Sequence, residues 1–163
     1  MKSAPFMRHS ILFVCSGNVF RSLAAEQALK THLRAPSSSS ILSAGTDAKP
    51  VAVHEWVRRR IHEKGGDVSH HVPRLLTQEM VESSDLVIAM GRNHKLYIRE
   101  RFGREAPLFN QVCFGCDEPI LDLHEVFPDW EQDLDRAHSY VCSVIDSIWE
   151  SVPNMFERLT PIR

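Results

Sequence analysis

A cysteine followed by five residues, an arginine and a serine is the first place where chemistry is legible in this chain: Cys15-Ser16-Gly17-Asn18-Val19-Phe20-Arg21-Ser22. A thiolate is a strong nucleophile, and a nearby cation and a helix start both favour that form. Arg21 carries a planar fork of donors that matches two oxygens of a phosphate. Gly17 permits an unusual backbone angle and Asn18 tolerates one. A loop bent in this way turns several backbone N–H groups toward one point and forms a nest for an anion. Ser22 can donate a hydrogen bond to the thiolate. The phosphate-binding set is therefore Ser16, Gly17, Asn18, Val19, Phe20, Arg21 and Ser22, with Cys15 beneath it. Sulfur below, phosphorus above and arginine around them describe nucleophilic attack on a phosphate ester. Taken alone, C-x5-R is loose and also fits a structural cysteine beside a surface arginine, so the flanking elements must decide.

Those elements agree with a site. Ile11-Leu12-Phe13-Val14 is apolar throughout and predicts a short buried strand that delivers Cys15 at its end. Ser22 caps or begins a helix carrying Leu23, Ala24, Ala28, Leu29 and Leu33. Residues 41–44 predict a second strand, closed by Gly45. Pro50 fits the first turn of a helix through about Lys64, with Val53, Trp56, Val57 and Ile61 on one face and Gly65-Gly66 after it. Thr77 caps a short helix, and residues 85–90 predict a third strand. A helix follows over about 93–102, then a weaker fourth strand over 108–112. Residues 116–130 have little periodicity and predict a long loop, a kind that often carries function. Leu134, Ala137, Val141, Val144, Ile145 and Ile148 repeat at helical spacing.

Apolar strands alternating with helices imply a parallel sheet covered on both faces. In such sheets ligands sit beyond the C-terminal strand ends, where Cys15 lies. The expectation is one α/β domain over residues 1–163 with a four-stranded parallel sheet and helices on both faces. Residues 1–9 are expected to be a loose N-terminal extension.

Composition excludes other classes. The chain has 163 residues, 43% apolar and 25% charged, the profile of a globular protein. A net charge of -2 gives no case for a nucleic-acid partner. No stretch approaches the roughly 18 apolar residues of a membrane span, and the N-terminus lacks the apolar core of a signal peptide. A cytoplasmic location is the default expectation. Four cysteines, at 15, 113, 116 and 142, do not make a disulfide scaffold in a chain of this size.

At this point the sequence resembles the low-molecular-weight protein tyrosine phosphatase family. The loop matches that family's C-x-G-N-x-x-R-S, and "LAAE" at 23–26 is similar to its P-x-A-E, with Leu23 in place of proline. "SAGT" at 43–46 resembles its second-strand signature. "VSHHVPRLLT" at 68–77 resembles I-S-x-H-x-A-R-x-L-T and aligns His71 and Arg74. His94, four residues after Met90, corresponds to a recurrent bacterial histidine. The resemblance implies a flavodoxin-like fold and hydrolysis of phosphotyrosine in proteins through a cysteinyl-phosphate, with no metal and no cofactor. It implies Cys15 as nucleophile, Arg21 as phosphate binder, and Asn18, Ser22, Ser43 and His71 as struts of the loop. Val19, Phe20 and Trp130 are expected to wall the substrate ring.

The family's general acid is a late-loop aspartate, usually followed by proline. The role falls on Asp129 of Pro128-Asp129-Trp130, with Asp122 and Asp117 as competing acids and capping of the last helix as an alternative role for Asp129. Phe20 stands where many members carry a second cysteine. Val19 stands where arginine-phosphate-specific relatives carry threonine, and an apolar residue there favours an aryl phosphate.

Two further readings remain open on the sequence. Arsenate-reducing relatives use a relay of cysteines, for which Cys113 and Cys116 are the candidates. A phosphoprotein-binding module with a silent site is the non-enzymatic alternative. Cys113-x-x-Cys116 without a second pair is weak evidence for zinc. Cys142 is expected in the core.

Overall fold

The computed structural model describes residues 9–36 and 38–159. The expected N-terminal extension lies, apart from His9, outside the described residues. Three strands, β1 (Ile11–Cys15), β2 (Ile41–Gly45) and β3 (Leu86–Ala89), form a parallel sheet in the order β2-β1-β3. This is the order in which flavodoxin-like sheets begin. The helices are α1 (Arg21–His32), α2 (Glu55–Glu63), α3 (Gln78–Glu82), α4 (Arg92–Phe102), α5 (Phe109–Phe114), α6 (Leu123–Val126) and α7 (Leu134–Leu159).

The period-two alternation of strand side chains divides the core. Ile11, Phe13 and Cys15 of β1 join Leu23, Leu29, Ile61, Phe109, Ile145 and Ile148 in one cluster, under α1, α2, α5 and α7. Leu12 and Val14 face the other way and meet Val81, Val87, Ile98 and Leu108, under α3 and α4. Each strand is buried on both faces, which explains why β1 is apolar at every position.

The expected fourth strand is corrected: among the described residues the sheet has three strands. Leu108 makes a single parallel bridge to Ala89, and Ala89 N donates to Pro107 O at 2.9 Å. The chain then turns into α5. The Gln111 side chain accepts from Leu108 N at 2.8 Å, and Phe109 packs its ring 6.3 Å from that of Phe13. Capping and aromatic burial thus draw the segment into a helix after one strand residue. The long loop is also partly ordered, into α6 and a 3-10 turn at Trp130–Gln132. The second helix starts later than Pro50, at Glu55, because the His54 ring accepts from Trp56 N at 3.2 Å and caps it. No helix of the described residues is long and apolar enough to cross a membrane.

Candidate active site

The loop from Cys15 to Ser22 joins β1 to α1 at the C-terminal edge of the sheet. Its carbonyls are tied outward. Cys15 O accepts from Thr46 N and Ser16 O from Asp47 N, each at 2.9 Å. Asn18 O accepts from His71 Nε2 at 2.7 Å, and Phe20 O from Ala24 N at 2.8 Å. A trans peptide holds a carbonyl and the following N–H on opposite sides. The N–H groups of Ser16, Gly17, Val19 and Arg21 therefore point away from these anchors. None of the backbone N–H groups of residues 16–21 donates to another described group. Together with the start of α1 they form a cradle for an oxyanion.

The loop's bend is held at Asn18, which is fully buried with φ of 57° in the left-handed region. An asparagine tolerates that angle when its side chain is anchored. Asn18 Nδ2 donates to Ser43 Oγ at 2.8 Å and Ser22 Oγ at 3.1 Å, and Oδ1 accepts from Arg74 N at 3.0 Å. Ser22 Oγ thus has an acceptor site filled by Asn18 and lies 2.9 Å from Cys15 Sγ, where it can donate to a thiolate. His71 must carry its proton on Nε2, because a carbonyl only accepts. Burial holds its imidazole below the usual histidine range.

A buried carboxylate completes the support. Glu26, 3% exposed, accepts from Ser43 Oγ at 2.7 Å, Lys30 Nζ at 2.9 Å and Arg74 at 3.2 Å. Sequence reasoning assigned Glu26 no role. The available signal was an acid on a helix face otherwise made of Ala24, Ala25, Ala28 and Leu29, where it needs a partner.

Arg21 is almost fully buried, with Nη1 donating to Ile120 O at 2.8 Å. Its Nη2 lies 3.5 Å from Asp122 Oδ2 and its Nη1 lies 3.7 Å from Glu125 Oε1. Asp122 caps α6, and Glu125 Oε1 accepts from Asp122 N at 2.9 Å, which fixes both acids. Tyr140 OH donates to Leu121 O at 2.6 Å, and Ile120 N to Met90 O at 2.8 Å, so the acid segment is tied to α7 and to the end of β3.

Asp129, the acid expected from the sequence, and the competing Asp117 make no ion pair with Arg21 among the described residues. Asp129 is exposed and shares a surface cavity with Phe127, Gln132 and Arg136. Asp117 pairs with Arg92 at 2.9 Å. Asp133, not Asp129, caps the last helix, accepting from Arg136 N at 3.2 Å.

Val19, Phe20 and Trp130 line one cavity of about 150 Å³ together with Asp122 and Trp56. The Trp56 and Trp130 rings meet edge to face at 6.3 Å. Trp56 also packs against the core on the apolar face of its helix, and the helical period that marks this face carries no signal for the cavity. Cys113 is buried, with its thiol pushed up to about 12 by desolvation, while Cys116 is exposed. A thiol held that strongly protonated is a poor relay for arsenate reduction. Among the described residues no group of three or more His, Cys, Asp or Glu is arranged to hold a metal ion.

A buried cysteine under a ring of unspent amides and a sequestered arginine, on a parallel α/β sheet, defines a cysteine-dependent phosphatase. The chain belongs to the low molecular weight phosphotyrosine protein phosphatase family, whose model matches residues 10–120. It is similar to the protein-arginine-phosphatase of Bacillus subtilis (strain 168), 35% identical over 123 residues, spanning 70% of this chain and 74% of that one. It is also similar to the probable low molecular weight protein-tyrosine-phosphatase EpsP of Ralstonia solanacearum, 34% identical over 133 residues, spanning 76% and 86%. Among solved structures it resembles a cysteine-to-serine variant of the YwlE arginine phosphatase with a phosphorylated active-site serine. That match has a TM-score of 0.78 and 27% identity, covering 94% of this chain and 97% of the other.

Proposed function

We propose that the protein hydrolyses phosphotyrosine in proteins, with Cys15 as nucleophile, Arg21 as phosphate binder and Asp122 as general acid. The observation that carries this reading is Asp122, 3.5 Å from the Arg21 guanidinium and on the wall of the aromatic cavity. Cys15 Sγ attacks phosphorus, the S–P bond forms, and the P–O bond to the phenol breaks. Asp122 gives its proton to the departing oxygen. Asp122 then takes a proton from water as that water attacks phosphorus, and the S–P bond breaks to release inorganic phosphate and restore the thiolate. Arg21 and the loop amides hold the equatorial oxygens and take up the charge that develops on them. Asp129, the acid favoured by the sequence, makes no ion pair with Arg21 among the described residues and lines a neighbouring cavity that shares Trp130 with the aromatic one.

The test is the leaving-group dependence of two variants. Asp122→Asn should slow phenyl phosphates with poor leaving groups by about 10²–10⁴-fold and p-nitrophenyl phosphate far less, since p-nitrophenolate departs with little protonation. Asp129→Asn should leave both rates near wild type. The reverse pattern would return the role to Asp129.

One observation favours a second substrate. Two carboxylates, Asp122 and Glu125, border the site, and such a pair suits the guanidinium of a phosphoarginine, the substrate named for the Bacillus relative. The apolar Val19 and the two tryptophans favour the aryl ester. Matched phosphotyrosine and phosphoarginine peptides, compared by kcat/KM, decide between them.

A further inference from the structure

His94 is the only buried histidine among the described residues, at 1% exposure, and no step above uses it. It sits on the first turn of α4 and reaches two groups. Gly91 N donates to His94 Nδ1 at 3.0 Å. A backbone N–H cannot accept, so Nδ1 carries the lone pair and the neutral ring carries its proton on Nε2. Burial, and then the positive charge of Arg21, push His94 down to about 3, so the ring is neutral at physiological pH. His94 Nε2 lies 2.8 Å from Ser16 Oγ and is therefore the donor in that bond.

The proton count then reaches the loop. Ser16 Oγ accepts from His94 and has no other hydrogen-bond partner among the described residues. Its own proton is left to donate. Ser16 follows the nucleophile directly and is only half-buried. Its backbone N–H belongs to the cradle and its carbonyl is anchored away on Asp47 N. The charges of Arg21 and Asp122 both act on His94.

We propose that Ser16 is a further catalytic residue, whose hydroxyl donates to an oxygen of the transferred phosphoryl group, and that His94 is the positioning residue that aims it. The proposal rests on the loop being the phosphate cradle, and it holds whichever phosphorylated residue is the substrate. A hydroxyl donor in the loop adds a bond to the charged oxygens beyond those of the amides and Arg21.

Calorimetry with orthovanadate reads the hydroxyl without turnover. Ser16→Ala should weaken vanadate binding about tenfold or more, the usual effect of losing a hydrogen bond to a charged group, and lower kcat/KM for p-nitrophenyl phosphate in parallel. Ser16→Thr, which keeps the hydroxyl, should restore most of both. His94→Phe should weaken vanadate binding in the wild-type background and add little in the Ser16→Ala background, since both changes remove one bond. A purely structural role for His94 would give additive losses. Additive losses, or a Ser16→Ala protein that binds vanadate like wild type, would overturn the proposal. If His94→Phe does not fold, the comparison of Ser16→Ala with Ser16→Thr decides alone. A protein that binds vanadate through Ser16 but turns over no phosphotyrosine peptide would refute the substrate reading and leave this one standing.

Discussion

Asn18 is the residue on which the loop's shape depends most, because its side chain spends its donors on Ser43 and Ser22 and its acceptor on Arg74 N. Asn18→Ala removes these bonds and leaves a non-glycine residue at φ of 57° without its anchor. The expected result is a tenfold or greater fall in kcat/KM, from about 1–3 kcal/mol of lost hydrogen bonding, read with p-nitrophenyl phosphate. This loop was legible in the sequence because each residue's chemistry suits its place: sulfur at a strand end, Gly-Asn at a bend, arginine and serine at a helix start. The acid proposed here was not. Asp129 follows Pro128 and precedes an aromatic, which resembles a family signature, whereas Asp122 sits in Ile-Leu-Asp-Leu with no local mark. The proposal of Asp122 rests on its contact with a residue 101 positions earlier, and no spacing rule carries that.

At the scale of elements, the end of β2 is packed against the phosphate loop so closely that only glycine fits. A Cβ on Gly45 would stand 2.3 Å from Ser16 O and 3.0 Å from Asn18 N, both backbone atoms. Gly45→Ala should push the loop out of shape, abolishing most activity and costing about 1–3 kcal/mol of stability in denaturant titrations. The join of β3 to α4 carries a pH effect with a definite sign. His94 falls from the usual 6.5 to about 3 on folding. Between those values the unfolded chain binds one more proton than the native one, so stability rises with pH. His94 thus contributes stability that is complete above about 6.5 and is lost as pH falls toward 3, at up to about 1.4 kcal/mol per pH unit. Unfolding free energies between pH 4 and 7 should show that slope in wild type, and His94→Phe should flatten it. Asp146, held low by Arg60, acts with the same sign but only in the lower, carboxylate range. The strands and most helices were readable because burial on both faces forces apolar runs, and capping residues such as Thr77 mark helix starts. The fourth strand was misread because a short apolar run fits a strand or a buried helix equally well. The Gln111 cap and the contact between Phe109 and Phe13 settled it as helix.

Across the whole molecule, stability lies in the two layers of the core and not in the surface ion pairs. Neighbours on α7 separate the two contributions. Ile145 is fully buried among residues of β1, α1 and α5, whereas Asp146 faces outward to Arg60 Nε and Nη2 at 2.8 and 2.7 Å. Ile145→Ala should cost about 2–5 kcal/mol and Asp146→Ala about 1 kcal/mol or less in chemical unfolding. The same architecture explains the chemistry, because β1 delivers Cys15 from the core to the edge of the sheet while β2, β3 and α7 anchor the loops around it. The central claim is that Cys15 carries the phosphoryl group between substrate and water. It is tested most directly by acid-quenching the enzyme during turnover of a phosphotyrosine peptide and mapping the covalent adduct by peptide mass spectrometry. One phosphoryl group on the peptide containing Cys15, formed and discharged at rates that account for turnover, is the predicted result. Steady turnover with no phosphate on Cys15, or with phosphate on another residue, would contradict it.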